Sequence, residues 1–144
     1  MAHAEESITI ARPVQTVYDF LLDGSNNPLW LSPVTDIRLL SGPSLGVGSV
    51  FKQGLKGPSG RIDADYEIVA CKPYELIQFQ VCAGPVQPAG TYHFESLGTS
   101  TKLTFVLDYQ PKGLAKLMDP VITKTMQAEM DELSNLKTYL EKVA

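Results

Sequence analysis

The sequence predicts one α+β domain, in which an antiparallel sheet of seven strands is combined with two short helices near the start of the chain and one long helix at its end. Three observations predict this fold class. Apolar residues alternate in short segments between residues 34 and 110, and Gly, Pro and Ser separate these segments about every ten residues. Residues 114–143 carry apolar side chains at helical spacing instead. In the stretch ITIARPVQTVYDFLLDGSNNPLW, the apolar residues change from alternating to helical spacing at Pro13.

The first strand and the two short helices follow one another closely. Alternating isoleucines predict a strand over residues 7–11. Pro13 suits the first turn of a helix because its missing N–H would have no partner there, and apolar residues at helical spacing extend this helix to residue 22. The polar residues 25–27 are good helix caps, so a second short helix that carries Trp30 is expected after them.

Six further strands are expected to form a meander with tight turns. They cover residues 35–40, 49–56, 61–70, 75–82, 90–96 and 102–109. In the strand over residues 61–70, apolar and charged side chains alternate, so they should occupy opposite faces of the sheet. The set expected to face the interior is Ile62, Ala64, Tyr66 and Ile68. The acidic set expected to face water is Asp63, Asp65 and Glu67.

The C-terminal helix is expected over residues 121–143, with Asp119-Pro120 as its cap and a short turn over residues 112–118 before it. At 1.5 Å per residue this helix would be about 35 Å long, which is enough to cross the sheet. Its apolar residues form one stripe, and polar residues, among them Glu129, are expected on the opposite face.

Composition and charge exclude several kinds of partner. The 144 residues, 44% hydrophobic and 19% charged, suit a single domain over residues 1–144. Twelve Lys and Arg against sixteen Asp and Glu give a net charge of -4 with no basic run, so nucleic acid is not an expected partner. No apolar stretch reaches the roughly 18 residues of a membrane span, and no leader pattern is seen, so we expect a cytoplasmic protein. Cys71 and Cys82 would lie at different heights of a hairpin, which predicts free thiols.

Several short motifs extend this interpretation over nearly the whole chain. They are ITIARPVQTVYDFLLD, the Trp30 position, the Gly46-Val47-Gly48 turn, EIVACKPYELIQF, GTSTKLTF and LSNLKTYLE. In this order of elements, the sequence resembles the START-like, helix-grip superfamily, whose members include polyketide cyclases/dehydrases and lipid-transport domains. The resemblance implies a curved sheet wrapped around the long helix, with a cavity between them that opens near the two short helices and the loops.

A bent sheet and a straight helix diverge, so large side chains either fill the gap between them or line it. The residues expected to bind a ligand there are Trp30, Tyr66, Phe79, Tyr92, Phe94, Phe105, Met118, Ile122 and Met126. The methionines can serve as core packing or as adaptable ligand contacts. Trp30 can be a gate or an anchor, and the hydroxyls of Tyr66 and Tyr92 need a partner that is either a ligand or another protein group.

The sequence contains no apparent catalytic constellation. His3 lies near the terminus, His93 falls on the outward side of its strand, and neither a metal-ligand cluster nor a cofactor motif is present. The first functional hypothesis is therefore binding of a hydrophobic small molecule, such as a lipid or a polyketide-like compound. The alternatives are a cyclase/dehydratase in which Tyr66 or Tyr92 orients a substrate carbonyl, and a protein-interaction module. The oligomeric state is left open, with a homodimer as one option.

Overall fold

The structure of the protein, a computed structural model, describes residues 2–41, 45–57, 59–84, 86–110 and 119–142. Its strands are β1 (Ala2–Ile10), β2 (Val34–Ser41), β3 (Val50–Gly57), β4 (Gly60–Asp63), β5 (Tyr66–Lys72), β6 (Leu76–Val81), β7 (Ala89–Ser96) and β8 (Thr101–Tyr109). Its helices are α1 (Val14–Leu22), a 3₁₀ helix (Gly24–Leu29), α2 (Asp119–Asp131) and α3 (Leu133–Lys142). The turn predicted over residues 112–118 and the predicted helix end at Val143 lie outside the described residues.

Seven strands form one antiparallel sheet in the order β1-β8-β7-β6-β5-β3-β2, and the short β4 pairs only with β3. The sheet is curled into a half-barrel, and the C-terminal helix completes the fold. This arrangement confirms the predicted fold class. The core lies between the concave face and the helices, where Phe51, Ile68 and Phe105 from the sheet are buried together with Met130 and Leu136 from the helices.

The predicted strand over residues 61–70 is divided into β4 and β5. Between the two strands, the backbone of Ala64 and the carboxylate of Asp65 both hydrogen-bond to the backbone of Gln53, so pairing with β3 is interrupted there. The expected alternation holds in β5, where Tyr66 and Ile68 are buried. The expectation for Ile62 was wrong, because this side chain is 37% exposed on a strand that has β3 as its only neighbour.

The predicted C-terminal helix is interrupted at Glu132. The N–H of Glu132 donates to the carbonyl of Glu129, and the N–H of Asn135 donates to the carbonyl of Glu132, so two bonds of the tighter 3₁₀ type occur at this point. The carboxylate of Glu132 also accepts a hydrogen bond from the Ser32 hydroxyl at 2.5 Å. These contacts join the boundary between α2 and α3 to the segment that follows the 3₁₀ helix.

Candidate ligand-binding site

A small interior cavity lies between the concave face of the sheet, the 3₁₀ helix and α2. Its volume is about 30 Å³. It is lined by Leu21, Asn27, Leu31, Gln53, Tyr66, Ile68, Ile77, Phe79, Tyr92 and Glu129. Most of these residues are aliphatic or aromatic, and five of the ten carry polar groups that can face a guest, so the cavity has the mixed lining of a small-molecule site.

The cavity wall at the 3₁₀ helix is polar. The side-chain amide of Asn27 donates to Oε1 of Gln53 at 3.0 Å and to the hydroxyl oxygen of Tyr66 at 3.2 Å. Gln53 in turn donates to the carbonyl of Ala64 at 3.4 Å. Burial raises the pKa of Tyr66 above its ordinary value, so its hydroxyl stays protonated at neutral pH. Because this oxygen accepts from Asn27, its own O–H is left to donate.

Glu129 on α2 brings a carboxyl group to the cavity. The residue is half-buried, and its carboxyl group has many protein neighbours but keeps some accessible surface. No described residue donates a hydrogen bond to this group or forms an ion pair with it. Burial, with a smaller contribution from the charge of Glu132, raises the pKa of Glu129 to about 7. Both the acid and the carboxylate are therefore populated near neutral pH.

Tyr92 on β7 lines the same cavity as Glu129 and interacts electrostatically with it. Its ring stacks on Phe105 with a centroid separation of 4.5 Å and is almost fully buried. Burial, with further contributions from Glu129 and Tyr66, raises the pKa of Tyr92 well above its ordinary value. Among the described residues its hydroxyl has no hydrogen-bond partner, so it can donate a hydrogen bond into the cavity.

An apolar groove of about 260 Å³ lies between α2 and the strands β2, β3 and β4. It is lined by Leu31, Pro33, Val34, Leu55, Lys56, Gly57, Ile62, Thr125, Ala128, Glu129 and Glu132. Leu31 and Glu129 belong to both linings. These two side chains therefore stand between the cavity and the groove.

The nine residues predicted to bind a ligand fall into three groups. Tyr66, Phe79 and Tyr92 line the cavity. Trp30, Phe94, Phe105 and Met126 are buried in the core around it, and Ile122 is half-buried against that core. Met118 lies outside the described residues.

Trp30 anchors the end of the 3₁₀ helix, but it lies one residue after the helix ends at Leu29, so the prediction that this helix carries Trp30 was wrong. It is 2% exposed and packs edge-on against Phe105 with the ring centroids 6.5 Å apart. Its indole N–H is buried without a hydrogen-bond partner among the described residues. The carbonyl of Trp30 accepts a hydrogen bond from the side chain of Asn135, so the same residue also contacts α3.

Three polar residues of the site were missed by the sequence analysis. Glu129 was placed on the polar face of the helix, and this expectation was wrong. The signal was available, because Glu129 is three residues after Met126 and four before Leu133, which places it on the apolar stripe. Gln53 similarly follows Phe51 by two residues and shares its inward face, where Phe51 is fully buried. Asn27 was assigned only a capping role.

The histidines and cysteines, which could act in catalysis or bind a metal, do not line the cavity. His3 contacts Asp108 at 2.5 Å on the outer surface, and His93 is exposed. Within the described ranges, no three His, Cys, Asp or Glu side chains are grouped so that they could hold a metal ion. Cys71 and Cys82 are free thiols. None of the helices that the structure describes is both long and apolar enough to cross a membrane.

The curled sheet, the C-terminal helix and the enclosed cavity define a START-like helix-grip protein. Residues 1–141 match the sequence model of a family described as polyketide cyclase / dehydrase and lipid transport, and the chain belongs to this family. A search of curated proteins finds no match.

Three solved structures illustrate the likeness in fold. A START superfamily protein from Mycobacterium smegmatis has a TM-score of 0.85 at 16% identity, with both chains covered completely (100%). A protein from Thermus thermophilus has a TM-score of 0.82 at 16% identity, with 99% of each chain covered. The Zhui aromatase/cyclase from a Streptomyces species has a TM-score of 0.75 at 14% identity, with 97% of this chain and 93% of that chain covered.

Proposed function

We propose that this protein binds a hydrophobic small molecule, of a lipid or polyketide-like kind, at the junction of the cavity and the groove. The observation that carries the proposal is that Leu31 and Glu129 border both spaces. The family contains both lipid-transport and cyclase members, which supports a ligand of this class. The free thiols of Cys71 and Cys82 fit a reducing compartment, so a cytoplasmic location belongs to the same proposal.

The two volumes set the mode of binding. The cavity of about 30 Å³ is far too small for a whole ligand. Sites for small molecules have volumes of about 300–1,000 Å³, and the groove of about 260 Å³ approaches this range. The apolar body of the ligand therefore lies in the groove, and one end of it points past Leu31 into the cavity. Burial of about 300 Å² of apolar surface would contribute roughly 7 kcal/mol before the costs of association.

The first test is extraction of the purified protein with organic solvent, followed by mass analysis of the extract. The second is titration with the neutral fluorescent probe 2-acetyl-6-(dimethylamino)naphthalene. Ile62→Trp should weaken probe binding at least about tenfold, because the indole fills the apolar groove. Val69→Trp is the matched control, since Val69 is 47% exposed, lies on the next strand and lines neither space. Equal probe affinity in both variants would contradict binding in the groove.

A second candidate function, a dehydratase, is favoured by the position of Glu129 in the same cavity lining as Tyr92. The Tyr92 hydroxyl would donate a hydrogen bond to a ketone oxygen while the Glu129 carboxylate removes the proton on the adjacent carbon. The C–O bond at the β-carbon then breaks, and its oxygen leaves as water with the proton returned by Glu129. The products are an enone and water, and the carboxylate is regenerated. A pKa of about 7 suits a group that must accept and then donate a proton.

This candidate is tested with 4-hydroxy-4-phenylbutan-2-one, whose dehydration gives a conjugated enone that is followed by absorbance. The native protein should accelerate the reaction, while Glu129→Gln and Tyr92→Phe should each reduce the acceleration by about two orders of magnitude or more. Asp131→Asn, an exposed position on the same helix, should leave it unchanged. A native rate equal to that of buffer alone would remove the dehydratase and would leave ligand binding as the function.

A further inference from the structure

We propose that the site selects ligands that carry a hydroxyl group at the end of an apolar body, and that Glu129 and Tyr92 recognise this hydroxyl. The inference deepens the proposed function and rests on it. It starts from two polar groups that the fold leaves without partners at the same place. The carboxyl of Glu129 and the hydroxyl of Tyr92 both line the cavity, and neither has a hydrogen bond to a described residue.

A purely apolar ligand would leave both groups unpaired after it had displaced water from the junction. Each buried polar group left unpaired costs about 1–3 kcal/mol, so such a ligand would bind against a penalty at this end of the site. The chemistry of the two groups decides which partner removes the penalty. Above pH 7, where Glu129 is mostly ionised, its carboxylate only accepts hydrogen bonds, whereas the protonated Tyr92 hydroxyl can donate one.

A neutral group that both donates and accepts satisfies the two groups without bringing a further charge into the site. A hydroxyl donates its proton to Glu129 and accepts from Tyr92 on its oxygen. An ether or a ketone accepts but cannot donate, so the carboxylate would stay unpaired. An ammonium could donate to both oxygens, but its charge would lose more hydration in an apolar site than a neutral hydroxyl does. A ligand carboxylate would meet the negative charge of Glu129, with that of Glu132 nearby.

The sizes of the two spaces agree with this assignment. The cavity of about 30 Å³ exceeds the roughly 10–15 Å³ that one water molecule needs and is far too small for a whole ligand, so it suits a single hydroxyl group. The rest of the ligand must occupy the groove, whose lining is apolar on the sides formed by Val34, Leu55 and Ile62. The predicted ligand class is thus an apolar alcohol or phenol, inserted with its hydroxyl first.

The test uses two naphthalenes that differ only in the group bound to the oxygen. 2-Naphthol has the hydroxyl, and 2-methoxynaphthalene carries a methyl group in place of the proton. Each is titrated against the bound probe 2-acetyl-6-(dimethylamino)naphthalene at a pH about one unit above 7, where Glu129 is mostly the carboxylate. We expect 2-naphthol to displace the probe at a concentration about tenfold lower than 2-methoxynaphthalene needs, because only the naphthol can pair with Glu129.

The variants separate this inference from the proposed function. Glu129→Leu should abolish the preference for 2-naphthol while 2-methoxynaphthalene still binds, and Asp131→Leu on the exposed side of the same helix should preserve the preference. Tyr92→Phe provides a second variant, which should also reduce the preference. Equal binding of the two naphthalenes to the native protein, or a preference that survives in both Glu129→Leu and Tyr92→Phe, would overturn the selection of a hydroxyl. Failure of the probe and both naphthalenes to bind would instead overturn the proposed function.

Discussion

Gly24 lies against the hydroxyl of Tyr66 so closely that a Cβ atom at position 24 would be 2.0 Å from the hydroxyl oxygen. The absence of a side chain at the start of the 3₁₀ helix therefore makes room for the tyrosine that lines the cavity. The same helix supplies Asn27, which donates to that oxygen. The position of the Tyr66 hydroxyl thus depends on two residues of one short segment.

Gly24→Ala should destabilise the protein by about 1–3 kcal/mol, because the added methyl group forces the Tyr66 ring or the 3₁₀ helix to move. Urea denaturation measures the change in the free energy of unfolding. The control is the double variant Gly24→Ala with Tyr66→Phe, in which the clashing oxygen is absent. Gly24→Ala should lower the free energy of unfolding clearly less in the Tyr66→Phe background than in the native background. Equal losses in the two backgrounds would contradict the contact between position 24 and the Tyr66 hydroxyl.

Glu129 should make the stability of the protein depend on pH between about 4.5 and 7. Its ordinary pKa of 4.5 is raised to about 7 in the folded state. The folded protein therefore binds the proton more tightly than the unfolded chain does, so the associated stability is fully present below pH 4.5 and is lost as the pH rises through about 7. The loss should be on the order of 2 kcal/mol. Among the described residues, Tyr92 and Glu132 interact electrostatically with this carboxyl group, and Lys56 lines the groove that Glu129 also borders.

Unfolding free energies of the native protein and Glu129→Gln at pH 5 and pH 8 check this expectation. The glutamine variant should gain stability relative to the native protein as the pH rises, because it has no carboxyl group to ionise in the interior. Asp131→Asn removes the same charge from an exposed site on α2, and its stability relative to the native protein should change little between the two pH values. Parallel curves for the native protein and Glu129→Gln would show that the carboxyl group is solvated.

A comparison of Phe79 with Phe94 tests the position of the ligand site. Phe79 lines the cavity, with ring centroids 5.3 Å from Tyr66 and 5.8 Å from Tyr92, whereas Phe94 packs against Tyr18 and lines neither the cavity nor the groove. Alanine at either position should destabilise the protein by about 2–5 kcal/mol. Only Phe79→Ala should tighten binding of the naphthalene probe, because the removed ring enlarges the space that a ligand can enter. Equal probe affinities of the two variants would contradict this placement of the site.

The strands were predictable because alternation is a local property of the sequence. The apolar residues of β5 to β8 alternate with polar ones, and a sheet with one buried face requires this pattern. The division between β4 and β5 was not predictable, because it depends on two hydrogen bonds to distant residues. The Ala64 N–H donates to the Gln53 carbonyl, and the Gln53 N–H donates to the Asp65 carboxylate, eleven and twelve residues away in the chain. The N-terminal extension of β1 to Ala2 was missed for a related reason, since Ala2 and Ala4 are buried but too small to mark a strand.

The candidate site was predictable in its aromatic residues and not in its polar ones. The rule that acidic side chains lie in solvent is correct for most Asp and Glu residues, because burial of an unpaired carboxylate costs free energy. Glu129 is an exception, because it lies on the apolar stripe of its helix and faces a space that the surrounding side chains do not fill. Whether such a space exists depends on the rotamers of many side chains, which no local pattern in the sequence reports.

Trp30 should tolerate loss of its indole N–H much better than loss of its ring. The N–H has no hydrogen-bond partner among the described residues, so its burial carries a cost that Trp30→Phe removes while most of the packing against Phe105 remains. We expect Trp30→Phe to change the free energy of unfolding by less than about 1.5 kcal/mol, and Trp30→Ala to lower it by about 3–5 kcal/mol. Chemical denaturation followed by circular dichroism measures both, since Trp30 is the one tryptophan of the chain and neither variant keeps its fluorescence. If Trp30→Phe lowered the free energy of unfolding as much as Trp30→Ala does, the N–H would be hydrogen-bonded in the folded protein. The indole would then stabilise its segment by more than packing.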